Sequence, residues 1–318
     1  MPPLELALIA AKCLAGLAAL YFGASWLVAA ASDLARRLGV SPLLIGLTVV
    51  AVGTSLPELF VAVSAALGGH DAVSLGNVVG ANALNIGLIL GIAALIRPIE
   101  VRLRVLQWDL PVMLAATALL AWFAFDGVVG RAEGLVLLAG MFAYLGLNVQ
   151  LGRRERRQSD FAGTSAVPPA GSLRLDLARG AGGALALAIG AQFLVDGALG
   201  AAAALELSEG AVGMTIVAAG TTLPELVTTL VAASRRQGDL AFGNVVGSNI
   251  NNALTVVGTA SAIAPLSSAD LGGAPLVGLL ALTALSAPVA WRGFVVNRWE
   301  GGLLVCGYAA FLWFSMTA

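Results

Sequence analysis

Two glutamates, Glu58 and Glu225, lie 167 residues apart, each inside an apolar segment of membrane length and each in the same short context. The first context reads Gly53-Thr54-Ser55-Leu56-Pro57-Glu58-Leu59 and the second Gly220-Thr221-Thr222-Leu223-Pro224-Glu225-Leu226. Each is followed at the same distance by Gly-Asn-Val-Val-Gly-X-Asn, from Gly76 to Asn82 and from Gly243 to Asn249. Between Gly46–Pro98 and Gly213–Pro265 the copies align without a gap and 23 of 53 positions are identical, which makes the pair an internal repeat. An ionisable side chain in a bilayer is expensive to hold and marks a functional site by default. One glutamate beside Ser or Thr in a helix is ordinarily hydrogen-bonded packing. Two at the same place in two repeats point to a single site shared by both halves.

The chemistry of these residue types is that of a hard cation. Pro57 has no amide hydrogen and denies the Gly53 carbonyl its helical partner, and its ring crowds that turn. The expectation is that nearby carbonyls, those of Ala51 and Thr54, are left free to face a ligand, with Ala218 and Thr221 as their repeat mates. Gly80-Ala81-Asn82 and Gly247-Ser248-Asn249 are expected to break their own helices in the same way. Glu58 and Glu225 bound in bidentate fashion, with the Thr54 and Thr221 carbonyls, reach the lower end of the roughly 6–8 oxygens that Ca²⁺ takes at about 2.3–2.6 Å. Mg²⁺ wants a tighter octahedron and keeps its waters, so it fits less well. The hydroxyls and amides of Ser55, Thr222, Ser248, Asn85 and Asn252 suit Na⁺ or water, and nothing soft is available for copper or zinc. Two carboxylates close together in a low dielectric need a divalent ion, monovalent ions or protons. Asn77 and Asn244 are expected to cap helices. Asn82 and Asn249 are expected to steady the helix breaks, and His70 to be solvated in an outer loop.

Composition sets the elements that must position these groups. The chain has 318 residues, is 59% hydrophobic and only 11% charged, with a mean hydropathy of +0.92, which is the composition of a polytopic membrane protein. Its 39 glycines allow close helix packing and helix breaks. Lysine occurs once, at Lys12, so there is no phosphate loop and no nucleotide motor; no nucleotide or nucleic-acid partner is expected. Histidine occurs once, at His70, which excludes a His-rich zinc or haem site. Cys13 and Cys306 lie in apolar runs and read as two packed thiols, not a disulfide. The first apolar run is longer than a signal-peptide core and reads as a retained helix.

Apolar runs give ten candidate spans: 6–32, 41–67, 73–96, 107–125, 131–151, 177–200, 208–233, 238–264, 272–290 and 300–317. Arg36 and Arg37, then Arg97, Arg102 and Arg104, then Arg153, Arg154, Arg156, Arg157, Arg174 and Arg179, then Arg235 and Arg236, then Arg292 and Arg298 follow the odd-numbered spans. Those are 15 of 17 basic residues, all on one side, with only Lys12 and Arg131 elsewhere. The excess of Lys and Arg in cytoplasmic loops then puts both termini outside and the 152–176 segment in the cytoplasm. The outer loops carry Asp71, Asp126, Glu133, Glu206, Glu209 and Asp270, an acidic face that draws cations or simply solvated loop acids. Five spans per half is an odd number, so the second repeat enters the membrane inverted. Inverted repeats characteristically bind substrate at the midplane, on broken helices, and work by alternating access. The fold class is therefore an all-α polytopic membrane protein with ten transmembrane helices as two inverted five-helix repeats. The first repeat occupies 1–151, a cytoplasmic linker 152–176 and the second repeat 177–318. The linker is too short for a folded regulatory domain; Arg153 to Arg157 also suit lipid binding.

The repeated motifs, the ten runs and the linker resemble the Na⁺/Ca²⁺ exchanger branch of the cation/Ca²⁺ exchanger superfamily, over essentially the whole chain. The resemblance implies a secondary antiporter, not an enzyme, in the cytoplasmic (inner) membrane, exporting Ca²⁺ against inward Na⁺. It implies no cofactor beyond the transported ions and membrane lipid as surroundings; a monomer is compatible with the chain, and the sequence does not set the oligomeric state. It implies Ca²⁺ held by Glu58 and Glu225 with the Thr54 and Thr221 carbonyls, and Na⁺ sites at Ala51, Ser55, Ala81, Asn85, Ala218, Thr222, Ser248 and Asn252. It implies that the Ser25–Ala35 and Gln192–Ala202 regions of spans one and six slide to switch access. Two positions depart from that pattern. Ala81 stands where many members carry a serine, which its repeat mate Ser248 keeps, and Asn252 stands where many Na⁺-coupled members carry aspartate. Ca²⁺/H⁺ exchange is the alternative those departures raise. A passive cation channel is a rival of another class, and an intramembrane hydrolase a third, lacking any nucleophile–base pair beyond the carboxylates.

Overall fold

The apolar runs fold as helices, since a backbone surrounded by lipid must satisfy its polar groups within the segment. A computed structural model describes residues 3–38, 42–161, 172–202 and 213–317. Helix α1 spans Pro3–Leu38, and a bent pair follows, α2 (Leu43–Thr54) and α3 (Leu56–Leu67). Next come α4 (Asp71–Ile96), strand β1 (Ile99–Glu100), α5 (Val105–Phe125), β2 (Val128–Val129) and α6 (Arg131–Phe161). The second half gives α7 (Leu173–Ala202), α8 (213–221), α9 (Leu223–Ser234) and α10 (238–263). It ends with β3 (Leu266–Ser267), α11 (Gly273–Trp291), β4 (Val295–Val296) and α12 (Arg298–Thr317). Among the described residues, four helical stretches (71–96, 105–125, 131–152 and 273–294) are each long and apolar enough to cross a bilayer, and α2–α3 is a fifth if the bent pair counts as one span.

The 167-residue offset persists beyond the motifs. β1 pairs antiparallel with β4 (Ile99↔Val296, Glu100↔Val295) and β2 with β3 (Val128↔Ser267, Val129↔Leu266). Shifting one register by the offset gives the other, so the two ribbons are equivalents that cross-link the halves. Left-handed turn residues recur likewise: Gly69 (φ 77°) with Arg236 (φ 63°), and Gly127 (φ 100°) with Phe294 (φ 56°). Loop contacts gather into two sets. Arg37–Asp176 and Arg102–Asp239, each 2.5 Å, and Gln237 donating to Ser32 at 2.9 Å, form one. The Ser267 amide on the Asp71 carboxylate at 3.1 Å, and Arg131 on the Ile263 carbonyl at 3.3 Å, form the other.

Helices α4 and α10 make the centre. Every residue of 74–87 and of 240–254 is buried, so neither stretch keeps a solvent or lipid face. Phe60, Trp122, Phe142 and Trp313, each at least 70% exposed, point outward from the peripheral helices. Helix α1 packs along α7 at a glycine crossing, where a Cβ on Gly23 would stand 2.8 Å from the Gly183 carbonyl and one on Gly183 2.7 Å from that of Gly23. One buried polar cluster breaks the internal symmetry. Tyr144 donates to Asp109 (3.0 Å), and Arg104 donates to Asn148 (2.6 Å) while lying 3.9 Å from Asp109. At the offset, their mates are Leu271, Leu276, Phe311 and Ser315.

Three expectations change. The 152–176 linker is mostly helix at its two ends: α6 continues through the arginines to Phe161 and α7 begins at Leu173. Arg, Glu and Gln are good helix formers and extend the ladder beyond the apolar stretch. Residues 162–171 lie outside the described residues, as do Glu206 and Glu209 and the side chains of Lys12, Cys13 and 192–202. Cys306 is an exposed thiol, not a packed one, because α12 turns that face outward. The expected breaks at Gly80-Ala81-Asn82 and Gly247-Ser248-Asn249 do not occur, as α4 and α10 remain helical there. Those glycines serve close approach instead. A Cβ on Gly247 would lie 2.7 Å from the Leu47 carbonyl and 2.8 Å from the Ala51 Cβ, and one on Gly80 would collide with the Met214 carbonyl.

Candidate functional site

The helix carrying each glutamate is interrupted one residue after the threonine. Ser55 (φ −82°, ψ 8°) separates α2 from α3, and Thr222 (φ −83°, ψ 1°) separates α8 from α9. The two halves of the first pair bend by 43°. Pro57 and Pro224 then fall in the first turn of the new helix, where a missing amide hydrogen costs nothing. Glu58 and Glu225 follow in that first turn, near its positive end.

Each break is preceded by a π-helical turn, at 46–50 and 213–217, and a further π turn lies in each central helix, at 84–89 and 252–256. Asn85 lies within the third of these and Asn252 opens the fourth. Such turns recur at functional sites, since they shift side chains out of α register and loosen the carbonyl ladder. The apolar pattern of the sequence gives no sign of them.

Both glutamates are fully buried, and the structure joins the two repeats around them. Glu225 Oε1 accepts the Ser55 hydroxyl from the other repeat at 3.1 Å and the Ser248 hydroxyl at 3.3 Å. Glu225 Oε2 and both oxygens of Glu58 have no hydrogen-bond partner. Glu58 lacks the matching donors for two reasons. Ala81 replaces the serine, and Thr222, the mate of Ser55, turns its hydroxyl onto the Ala218 carbonyl at 2.5 Å. The side-chain amides of Asn85 and Asn252 are also buried without partners, and no hydrogen bond ties them to either glutamate. A buried polar atom without a partner costs about 1–3 kcal/mol. Buried oxygens left without partners are the kind of ligand a hard ion takes.

The threonines and motif asparagines form reciprocal bridges. Thr54 Oγ1 lies 3.3 Å from Asn244 Oδ1, and Thr221 Oγ1 3.0 Å from Asn77 Oδ1. The Asn77 and Asn244 amides in turn donate to the Glu58 and Glu225 backbone carbonyls at 3.4 and 3.5 Å. The capping role expected of Asn77 and Asn244 is therefore replaced: each sits buried in mid-helix and holds the break of one repeat to the broken pair of the other. Asn82 reaches across as well, donating to the Asn249 carbonyl at 3.2 Å. The carbonyls of Ala51 and Ala218 are not free as expected. They accept the Ser55 and Thr222 amides at 3.1 and 3.0 Å, because the helix continues to the threonine before it breaks. The Thr54 and Thr221 carbonyls accept no backbone amide across the break. Among the described residues, no third Asp, Glu, His or Cys completes a metal-binding group with the two glutamates.

A family description, sodium/calcium exchanger protein, matches residues 9–150 and 178–317. The chain is 35% identical to a putative antiporter, CaxA, of Alkalimonas amylolytica, covering 94% of this chain and 95% of that one. It is 33% identical to the sodium/calcium exchanger MaX1 of Methanosarcina acetivorans, covering 94% and 96%. It is 36% identical to the inner membrane protein YrbG of Escherichia coli, covering 81% of each. Among solved structures it is similar to the sodium-calcium exchanger NCX_Mj, with a TM-score of 0.80 at 32% identity over 95% of this chain and 97% of that one.

Proposed function

We propose that this chain, which belongs to the sodium/calcium exchanger protein family, exports Ca²⁺ in exchange for inward Na⁺, with Glu58 and Glu225 carrying the ion. Membership makes it a multi-pass membrane protein of the cation/Ca²⁺ exchange class, a class of transporters and not of enzymes. The finer reading is ours. Ten spans form two inverted repeats, 1–151 and 177–318, joined on the cytoplasmic side of the inner membrane, with both termini outside. Ca²⁺ takes the four carboxylate oxygens and the Thr54 and Thr221 carbonyls. Ser55, Thr222, Ser248, Asn85 and Asn252 serve monovalent ions. The Ala51 and Ala218 carbonyls already accept an amide and at least one hydroxyl each, from Thr54 at 3.3 Å and from Thr222 at 2.5 Å, so we assign them a secondary part in which they meet the ion once that hydroxyl turns away.

The observation that carries this reading is that three of the four glutamate oxygens are buried and unpartnered where two broken helices meet. Cargo that switches between one divalent and several monovalent ions supplies the missing partners in both directions of travel, which is what couples the fluxes. Ca²⁺/H⁺ exchange is the second reading, favoured by the neutral Asn252 and Ala81. Radiolabelled Ca²⁺ uptake into proteoliposomes decides between them. An outward Na⁺ gradient should drive uptake and an outward H⁺ gradient of equal size should not. Uptake on H⁺ alone overturns Na⁺ coupling, and Ca²⁺ leakage without any counter-ion overturns exchange in favour of a channel.

A further inference from the structure

We infer that the cytoplasmic end of the seam between the repeats is a binding site for a phosphate-bearing anion, drawn from an anionic lipid headgroup or from free phosphate. A cavity of about 290 Å³ lies there, lined by Arg97 and Glu100 of the first half and by Arg236, Gln237, Gly238 and Asp239 of the second. That is near the lower end of the roughly 300–1,000 Å³ of ligand pockets, room for a headgroup. The side rests on the proposed orientation and the chemistry on the cavity alone.

The internal repeat supplies the reason. At the outer end the Asp71 carboxylate accepts the Ser267 amide at 3.1 Å, so the chain fills that place with an anion of its own. At the 167-residue offset, Gly238 stands for Asp71 and Glu100 for Ser267. A Cβ on Gly238 would lie 3.6 Å from the Glu100 amide nitrogen, so these two meet as their mates do, with no Gly238 carboxylate between them. The next residue, Asp239, turns its carboxylate to Arg102 at 2.5 Å. Two arginines stand beside the gap where the outer end has neutral residues: Ala264 is the mate of Arg97 and Gly69 that of Arg236. The fold itself therefore needs neither guanidinium. Arg236 keeps φ 63° where Gly69 has 77°, a left-handed backbone that is strained for any side chain. Among the described residues neither Arg97 nor Arg236 is ion-paired. Glu100 is the one lining acid without an arginine on it, so two arginines against it leave the cavity basic. Arginine forks match phosphate oxygens in pairs. Leu95 and Ile96, exposed immediately before Arg97, give acyl chains a surface, and the cytoplasmic leaflet carries anionic lipid.

The test follows thermal unfolding of the full-length protein in non-ionic detergent, titrated with short-chain phosphatidylglycerol, phosphatidylcholine or inorganic phosphate. Arg97→Ala with Arg236→Gly installs the repeat-mate residues, and the glycine relieves the left-handed strain. Phosphatidylglycerol should raise the wild-type unfolding temperature saturably and phosphatidylcholine should not. Each arginine contributes about fivefold toward an anionic lipid, so the double variant should bind roughly 30-fold more weakly. A response to phosphatidylglycerol alone assigns the site to lipid, and the same response to inorganic phosphate assigns it to a free anion. Arg292→Ala, an exposed arginine outside the cavity, should respond as wild type. Three results overturn the site: no saturable response to either anion, a double variant that responds as wild type, or an equal loss in Arg292→Ala, which would mean diffuse surface charge. Should the double variant not fold, Arg236→Gly alone carries the test, with a loss of roughly fivefold expected and an unchanged response overturning the site. None of these measurements involves Ca²⁺, so this site and the exchanger reading fail separately.

Discussion

Glu58→Gln isolates what the unpartnered carboxylate contributes. Both Glu58 oxygens are buried without a protein hydrogen bond, so the substitution breaks no such bond and changes volume by almost nothing. It also removes one of two like, fully buried charges. Ion-free stability should therefore stay within about 1 kcal/mol of wild type or rise. Ca²⁺ binding should suffer instead, because one of two desolvated charged ligands is gone. Truncating one partner of a buried charge pair costs about 2–5 kcal/mol, which corresponds to roughly 30- to 5,000-fold in affinity. Glu225→Gln should behave differently in one respect. Its Oε1 accepts two hydroxyls, at 3.1 and 3.3 Å, and these bonds lose their charge assistance. It should therefore be about 1 kcal/mol less stable than the Glu58 variant in the absence of ions. Thermal unfolding of both variants in detergent, with and without Ca²⁺, reads both quantities, and liposome flux reads transport. A Glu58→Gln protein that keeps wild-type Ca²⁺ stabilisation and flux would refute the site. One that unfolds far more readily without ions would show that Glu58 has structural partners and that the asymmetry between the glutamates is unreal.

Gly247→Ala forces a Cβ to within 2.7 Å of the Leu47 carbonyl and should cost about 1–3 kcal/mol and most of the flux, whereas Gly302→Ala, with nothing within 4 Å, should cost neither; unfolding and uptake measured side by side check the contrast. Asp109→Ala removes the acceptor of Tyr144 and the charge beside Arg104, which keeps Asn148, and should destabilise by about 1–3 kcal/mol, while installing the repeat-mate residues together (Arg104→Leu, Asp109→Leu, Tyr144→Phe, Asn148→Ser) should be neutral or stabilising in thermal unfolding. The half-exposed Arg102–Asp239 pair should contribute no more than about 1 kcal/mol, and Arg102→Ala should shift the unfolding temperature less at high salt than at low salt.

The amino-acid sequence determined the halves, the membrane setting and the glutamates, because each is written in local terms. Apolar runs must become helices in lipid, and Gly-Thr-Ser-Leu-Pro-Glu interrupts a helix whatever surrounds it. A 167-residue repeat needs no coordinates to be seen. Other features depend on which surfaces meet. Gly80 and Gly247 read as helix breakers in isolation, yet each lies in an unbroken helix against a carbonyl of the opposite repeat. Asn77 and Asn244 read as caps until Thr221 and Thr54 arrive from 144 and 190 residues away. The inequality of the two glutamates is half legible, since Ala81 is visible in the chain. The rest required the packed rotamer of Thr222, whose hydroxyl chose the Ala218 carbonyl over Glu58. Propensity and hydrophobicity act along the chain, whereas hydrogen-bond partners in a buried site are chosen by packing across it. Tertiary structure therefore decided which of the buried glutamate oxygens are left without a partner.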